Sequence, residues 1–408
     1  MTARAFLATI LALLFSAAPL SAKRFGDASD PDGATVLCYH IVESPLDSRM
    51  EISRDTFRQH LQYLEMTGYN VIPLRHLYEY VTGRRSSLPP NPVVITIDDG
   101  WRSTYTEAYP ELKKRGFPFT VFIYPQIIGK TATALTWGQI REMAKNGGDI
   151  ESHSLSHPFL TRRRHADLAD DKYYAWLQKE LVDSKRILEK QTGNKVEFIA
   201  YPYGDYDHVL AHIVGKAGYT AALTCDFGKV IKGSDPLRMR RFVVDKRMDF
   251  AAFRKYMGAT PMQLAEMTPK PGDLVDPASA VISARIPNYQ TVDPHSVGMA
   301  LLGVGSLVPY AYDAKTGSIT LMINDAMKSL KGSYHRAVVW AKDSKTGKRI
   351  EASWTFKLPD EALPSKIPAV APAQIVPASQ PAQPATSRRA VIVPITGGAA
   401  IVTANAQH

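Results

Sequence analysis

Apolar and polar positions follow two rhythms along this chain, and the change between them falls near residue 270. Before it, short β-branched and apolar runs alternate with stretches in which apolar residues recur every three to four positions. The runs at 35–42, 70–72, 93–97, 119–124, 149–152, 196–200, 220–224 and 241–244 predict strands. The stretches 53–68, 74–81, 103–115, 136–146, 171–191 and 206–217 predict helices. In the first helix Ser53 suits the N-cap, Phe57, Leu61 and Leu64 share one face, and Gly68 is the stop signal. In the longest, Leu177, Leu181, Ile187 and Leu188 line the apolar side. Strand and helix in strict alternation call for a parallel sheet. About seven such units over residues 34–257 predict an α/β fold, a distorted (β/α) barrel that need not close completely.

After the change the rhythm is two. Segments at 280–285, 297–302, 310–312, 318–323, 335–341 and 352–356 alternate, with glycine-bearing turns at 314–317 and 343–347. They predict a small all-β sandwich over residues 280–358. Pro271 and Pro277 mark 258–279 as a linker. Residues 359–408, rich in Pro, Ala, Gln and Ser, predict a disordered tail. Its apolar stretches 391–395 and 399–402 are too short to insert in a membrane. At the other end Arg4, the apolar run 5–15 and small residues through Ala22 read as a secretory signal peptide, residues 1–22, with an uncleaved anchor as the alternative. The expectation is a secreted or periplasmic protein with no stable membrane insertion after cleavage.

The net charge of +10 is spread over separate runs, among them Arg162-Arg163-Arg164. No basic helix interleaved with aromatics accompanies them, so no nucleic-acid partner is expected. The two cysteines, Cys38 and Cys225, lie in apolar strand-like runs. They are either a pair, as export permits, or buried free thiols.

Three stretches carry candidate chemistry. The strand at 93–97 ends in Asp98-Asp99-Gly100. Adjacent acids on an extended chain point to opposite sides, so one can hold a metal while the other handles a proton. The strand at 149–152 runs into His153-Ser154-Leu155-Ser156-His157-Pro158. Two histidines four apart lie on one face of a helical turn and, with a carboxylate, suit a divalent ion with open positions for water and substrate. The third, Ala200-Tyr201-Pro202-Tyr203-Gly204, breaks its strand at Pro202. The Tyr203 N–H is then a candidate oxyanion donor. Taken singly, each has an ordinary alternative: a strand-ending turn, two surface histidines, a Tyr-Pro-Tyr-Gly turn. All three sit at strand ends on one rim.

Together, in this order, the stretches resemble the polysaccharide deacetylase (NodB-like) family, carbohydrate esterase family four, and Thr136-Trp137-Gly138-Gln139-Ile140 adds to the likeness. The resemblance implies a metal-dependent enzyme that removes N- or O-acetyl groups from an acetylated polysaccharide. It implies Asp99, His153 and His157 as metal ligands, with zinc as the default, and Asp98 as general base. Two family features are missing: an arginine before the Pro-Tyr-Gly turn, where Ala200 and Tyr201 stand, and a late Leu-x-His between 245 and 271. Arg241, after a later strand, is the candidate to brace Asp98; the alternative is a surface arginine. Cys38-Tyr39-His40-Ile41 resembles the biofilm poly-N-acetylglucosamine deacetylases, in which an early Tyr-His supplies the acid. His40 is thus the candidate general acid, the alternative being a buried structural histidine. The C-terminal part resembles bacterial immunoglobulin-like modules. A non-catalytic glycan-binding protein on the same fold, or an O-acetyl (xylan-type) esterase, are the competing functions.

Overall fold

The structure, a computed structural model, describes residues 33–43, 48–161, 170–275, 281–302, 308–321, 335–358, 391–394 and 399–403. The signal-peptide stretch 1–22, the Arg162–Arg164 run and most of the C-terminal tail lie outside the described residues.

The N-terminal strands are β1 (Thr35–Tyr39), β2 (Ile41–Val42), β3 (Glu51–Ile52), β4 (Asn70–Val71), β5 (Pro92–Asp99), β6 (Phe119–Ile123), β7 (Gly148–Ser152), β8 (Phe198–Ala200), β9 (Ala221–Leu223) and β10 (Phe242–Val243). One parallel sheet runs β10-β1-β5-β6-β7-β8-β9, and β4 pairs with β5 off that path. The sheet nearly closes on itself. Met239 bridges to Leu223 of β9, and three residues later Phe242 pairs with Leu37 of β1. This is the distorted (β/α) barrel. Its interior strand β5 is buried on both faces, from Pro92 through Asp98, as a strand covered by crossover helices must be.

The helices are α1 (Arg54–Met66), α2 (Leu74–Val81), α3 (Tyr109–Arg115), α4 (Trp137–Lys145), α5 (Asp170–Thr192), α6 (His208–Lys216) and α7 (Phe250–Met257). Their starts obey local chemistry. The Ser53 hydroxyl accepts the Thr56 N–H at 3.0 Å, and Thr136 and Gln139 form a reciprocal capping box at α4. Leu61 and Leu64 of α1, Leu177 and Leu181 of α5 and Val121 of β6 share one core.

Two expected elements are broken. The strand expected over 35–42 divides at His40, which stands between β1 and β2. The helix expected over 103–115 opens with a π-helical turn at Thr104–Ala108 before α3. Such wide turns occur where a helix adapts to a neighbouring site.

The C-terminal strands are β11 (Thr260–Pro261), β12 (Ala265–Thr268), β13 (Ile282–Arg285), β14 (Val292–Leu302), β15 (Tyr310–Asp313), β16 (Ser318–Leu321), β17 (His335–Asp343), β18 (Arg349–Phe356), β19 (Val391–Pro394) and β20 (Ala399–Thr403). They form two sheets, β11-β18-β17-β14 and β12-β13-β16-β15-β20-β19. Met299, Ile319, Val339 and Trp354 belong to one buried cluster that joins the two. Two expectations need correction here. The stretch 258–279, read as a linker from its prolines, contributes β11 and β12, each paired into a sheet. Met262 packs in the cluster, and Leu264 and Met267 pack against it. The tail, read as structureless, contributes β19 and β20, because two short apolar runs can pair even within a Pro-rich segment. Cys38 and Cys225 are both buried and free.

Candidate active site

The site forms where the carboxyl ends of β1, β5, β7 and β8 meet, the rim on which such folds keep their chemistry. β5 carries Asp98 and Asp99 to this rim. Asp99 has φ +78° and Gly100 φ +88°, so the chain turns through left-handed backbone at once after the strand. Glycine is required in the second place: a Cβ there would stand 3.0 Å from the Ile128 side chain. The non-glycine Asp99 is the strained one, and strain of this kind collects at functional positions.

The two carboxylates have different surroundings. Asp98 is 1% exposed. Its Oδ1 accepts from Arg241 Nη1 at 2.7 Å, and its Oδ2 lies 3.5 Å from Cys38 Sγ and 3.8 Å from His153 Nε2. Arg241, fully buried, also donates to the Thr224 carbonyl at 3.0 Å and to Thr96 Oγ1 at 3.3 Å. Burial pushes the Asp98 pKa up, Arg241 and then His153 and His40 pull it down, and the net is below the ordinary carboxyl value.

Asp99 is turned the other way. Its Oδ2 accepts the Trp101 indole N–H at 2.9 Å. Its Oδ1 is buried and has no hydrogen-bond partner among the described residues. That oxygen faces two ring nitrogens, His153 Nε2 at 3.4 Å and His157 Nε2 at 3.2 Å. One ligand atom from each of Asp99, His153 and His157 lies within 4.8 Å of the other two. The His153 Nδ1 sits 2.7 Å from the Ala200 carbonyl, an arrangement that places the proton on Nδ1 and leaves the Nε2 lone pair for the site. Two ring nitrogens facing a bare carboxylate oxygen in a buried spot could hold a cation, and the donor set suits a first-row divalent metal. Opposed by burial, the two imidazoles hold the Asp99 carboxyl well below its usual range.

The histidine loop is not a helical turn. Ser154 and His157 both have left-handed backbone, φ +62° and +60°. The Ser154 hydroxyl accepts the His157 N–H at 3.0 Å, and Glu180 of α5 accepts the Leu155 and Ser156 N–H groups and the Ser156 hydroxyl at 3.1, 3.0 and 2.6 Å. The rings therefore meet, 4.7 Å between centroids, through a folded loop held by a buried acid. Trp101 and Glu180 were not singled out from the sequence.

Tyr203 has φ +60° in the short turn Pro202–Gly204, and its ring lies 4.5 Å from His157 and stacks on Phe159 at 3.9 Å. Tyr124 flanks His157 on another side at 5.0 Å. His40 reaches the same cluster from the gap between β1 and β2. A ring nitrogen of His40, an Asp98 oxygen and Cys38 Sγ lie within 4.8 Å of one another. His40 Nδ1 is buried with no hydrogen-bond partner among the described residues. Burial lowers the His40 pKa, Asp99 and Asp98 oppose it, and the net is a lowered value. Burial likewise keeps the Cys38 thiol protonated. The structure thus gathers all seven candidate residues at one rim. A separate cavity of about 310 Å³ between barrel and C-terminal sheets, lined by Tyr80, Lys232, Met262 and Asp343 among others, includes none of them.

Residues 85–222 match the family model of polysaccharide deacetylases. Over 227 residues the chain is 28% identical to YxkH of Bacillus subtilis (strain 168), a protein placed in the same class, covering 56% of this chain and 77% of that one. It is 25% identical over 198 residues to a poly-β-1,6-N-acetyl-D-glucosamine N-deacetylase of Staphylococcus epidermidis, covering 47% of this chain and 68% of that one. Among solved structures it is similar to IcaB from Ammonifex degensii, with 27% identity and a TM-score of 0.50, covering 57% of this chain and all of that one. Residues 85–222 carry the match to the polysaccharide deacetylase model, which, with these relatives, supports an enzyme of that kind.

Proposed function

We propose that this protein is a metal-dependent N-deacetylase acting on an N-acetylated polysaccharide outside the cytoplasm, with Asp99, His153 and His157 as metal ligands and zinc as the resident ion. The observation that carries the reading is the unpartnered Asp99 Oδ1 facing two imidazole Nε2 atoms, one residue from a carboxylate paired with Arg241. Export is read from the apolar run at 5–15; among the described residues no helix is long and apolar enough to cross a membrane. The N-acetyl choice is supported by the Staphylococcus epidermidis relative.

A divalent ion held there supplies acidification of water and polarisation of the acyl oxygen. The rest falls to the chain. Asp98, kept ionised by Arg241, accepts the proton of the attacking water. Trp101 holds one oxygen of Asp99 so that the other stays turned toward the two histidines. The Tyr203 N–H is the candidate donor to the oxyanion that forms as water adds to the acyl carbon. When the C–N bond breaks, the amine nitrogen needs a proton, and His40 supplies it. The burial that lowers its pKa makes the protonated ring the stronger acid, and the two aspartates favour its taking the proton up. The products are acetate and a free amine. The Phe159, Tyr203 and Tyr124 rings give apolar faces against which a sugar ring can lie.

The test is acetate release from a panel of N- and O-acetylated glycans before and after chelation. The expected result is release from N-acetylglucosamine oligomers that chelation abolishes and added zinc restores. Full activity after exhaustive metal removal, or release from O-acetylated glycans alone, overturns the reading.

A further inference from the structure

Strand β18 and the two residues that follow it present two buried faces. Ala352, Trp354, Phe356 and Leu358 point into the core of the C-terminal sheets. The alternate residues Ser353, Thr355 and Lys357 are polar and yet 1–2% exposed. Period-two alternation turns them together to the opposite side, and that side is covered by the barrel. Ser353 Oγ donates to the Phe227 carbonyl at 3.3 Å, and Thr355 Oγ1 donates to Asp226 Oδ1 at 2.7 Å. Lys357 Nζ reaches Asp205 Oδ1 at 2.7 Å and Thr161 Oγ1 at 3.1 Å. The same carboxylate accepts the Thr161 N–H at 2.8 Å and the Thr161 hydroxyl at 2.7 Å, and it is fully buried.

Asp205 lies two residues after Tyr203, and Thr161 four residues after His157. The two loops touch at the site through the Phe159–Tyr203 stack and are tied behind it at this ion pair. We infer that Lys357 is a positioning residue of the active site: the C-terminal sheet clamps the His157 loop to the Tyr203 loop, so the barrel depends on it for an ordered site. The inference rests on the deacetylase reading for its kinetic consequences. Without Lys357 the ion pair that ties the C-terminal sheet to both loops is lost and the loops relax, and a misplacement of about 1 Å at a reacting centre costs about 100-fold.

The test uses the full chain. Lys357→Met should lower kcat by about 10- to 100-fold, with KM changed by less than about threefold. Because the clamp orders groups used by every substrate, the loss should be equal on an N-acetylated oligomer and an activated acetate ester. Should that variant not fold, Lys357→Met combined with Asp205→Asn neutralises both members of the ion pair, and the same kcat loss is expected. Hydrogen exchange gives a readout independent of turnover: residues 156–161 and 201–207 should exchange faster while β5 stays protected. A folded variant with kcat within twofold of wild type, or exchange that rises evenly across the barrel, overturns the inference. If wild type releases no acetate from any substrate, the deacetylase reading fails, and the exchange pattern still decides the clamp.

Discussion

Arg241→Met is the substitution that most directly probes how the site is poised. The guanidinium is fully buried and donates to Asp98 Oδ1 at 2.7 Å and to the Thr224 carbonyl at 3.0 Å. Removing one partner of a buried ion pair costs about 3–5 kcal/mol of stability. The larger signal is in proton affinity. In wild type burial raises the Asp98 pKa and Arg241 lowers it, with a net lowering. With the arginine gone, burial prevails, and fully buried carboxyls rise by up to about 3–5 units. A base works only when deprotonated, so the acidic limb of kcat/KM should move toward higher pH. A cation held by Asp99, His153 and His157 would pull the other way, so the rise is smaller than burial alone gives. At pH 7 the variant should lose about 10²- to 10³-fold and regain part of it by pH 9, within the usual worth of a general base. The assay is the pH profile of acetate release on metal-loaded protein, with folding checked by circular dichroism. A folded variant whose acidic limb coincides with that of wild type refutes the idea that Arg241 sets the ionisation of Asp98.

Three further outcomes are expected. Asp98→Asn should abolish turnover yet retain metal in elemental analysis, whereas Asp99→Ala should lose metal; equal metal loss in both would reverse the assignment of base and ligand. His40→Ala should keep its metal and lose about 10²- to 10⁴-fold on an N-acetylated oligomer but much less on an activated ester, whose leaving group needs no proton; equal losses on both would make His40 structural. His60, fully buried and stacked on Phe253 at 3.7 Å, has its pKa lowered by burial to about 4. Between that value and the unfolded value of about 6.5 the unfolded chain binds more protons, so stability rises with pH and is lost on acidification through this window, by roughly 2–3 kcal/mol at pH 4.5. Urea unfolding of wild type and His60→Leu at pH 7 and 4.5 should show that extra loss in wild type only, and parallel behaviour would remove His60 as its source.

The residues legible in the sequence are those whose role follows from position on a strand end. Asp98, Asp99, His153 and His157 each sit within a short run whose apolar strand is unmistakable, so the rim could be drawn before any coordinates. Arg241 meets Asp98 from 143 residues away; no local pattern announces such a pairing, and Arg241 is a candidate only because the family arginine before the Pro-Tyr-Gly turn is missing. It also lies outside the segment that matches the family model, as does His40. The histidine spacing was right and its geometry was not. Four-residue separation suggests a helical turn, but left-handed Ser154 and His157, together with Glu180, fold the loop instead.

Glu180 and Lys357 were missed for a common reason. Glu180 and Ser184 fall among Leu177, Leu181 and Leu188, on the stripe of α5 that faces the core. Lys357 continues a polar face that alternates with Trp354 and Phe356. In both cases periodicity marks the position as buried and polarity argues for solvent. A single-sequence reading resolves that conflict toward solvent, since most charged positions are exposed. The other resolution is that the polar side chain is buried against specific partners. Glu180 caps a loop of N–H groups, and Lys357 neutralises Asp205 on a second domain. Such positions are affordable only when every group is satisfied. A charged residue on the buried register of an amphipathic element is therefore a pointer to a loop or domain contact, and here both pointers lead to the loops that carry His157 and Tyr203.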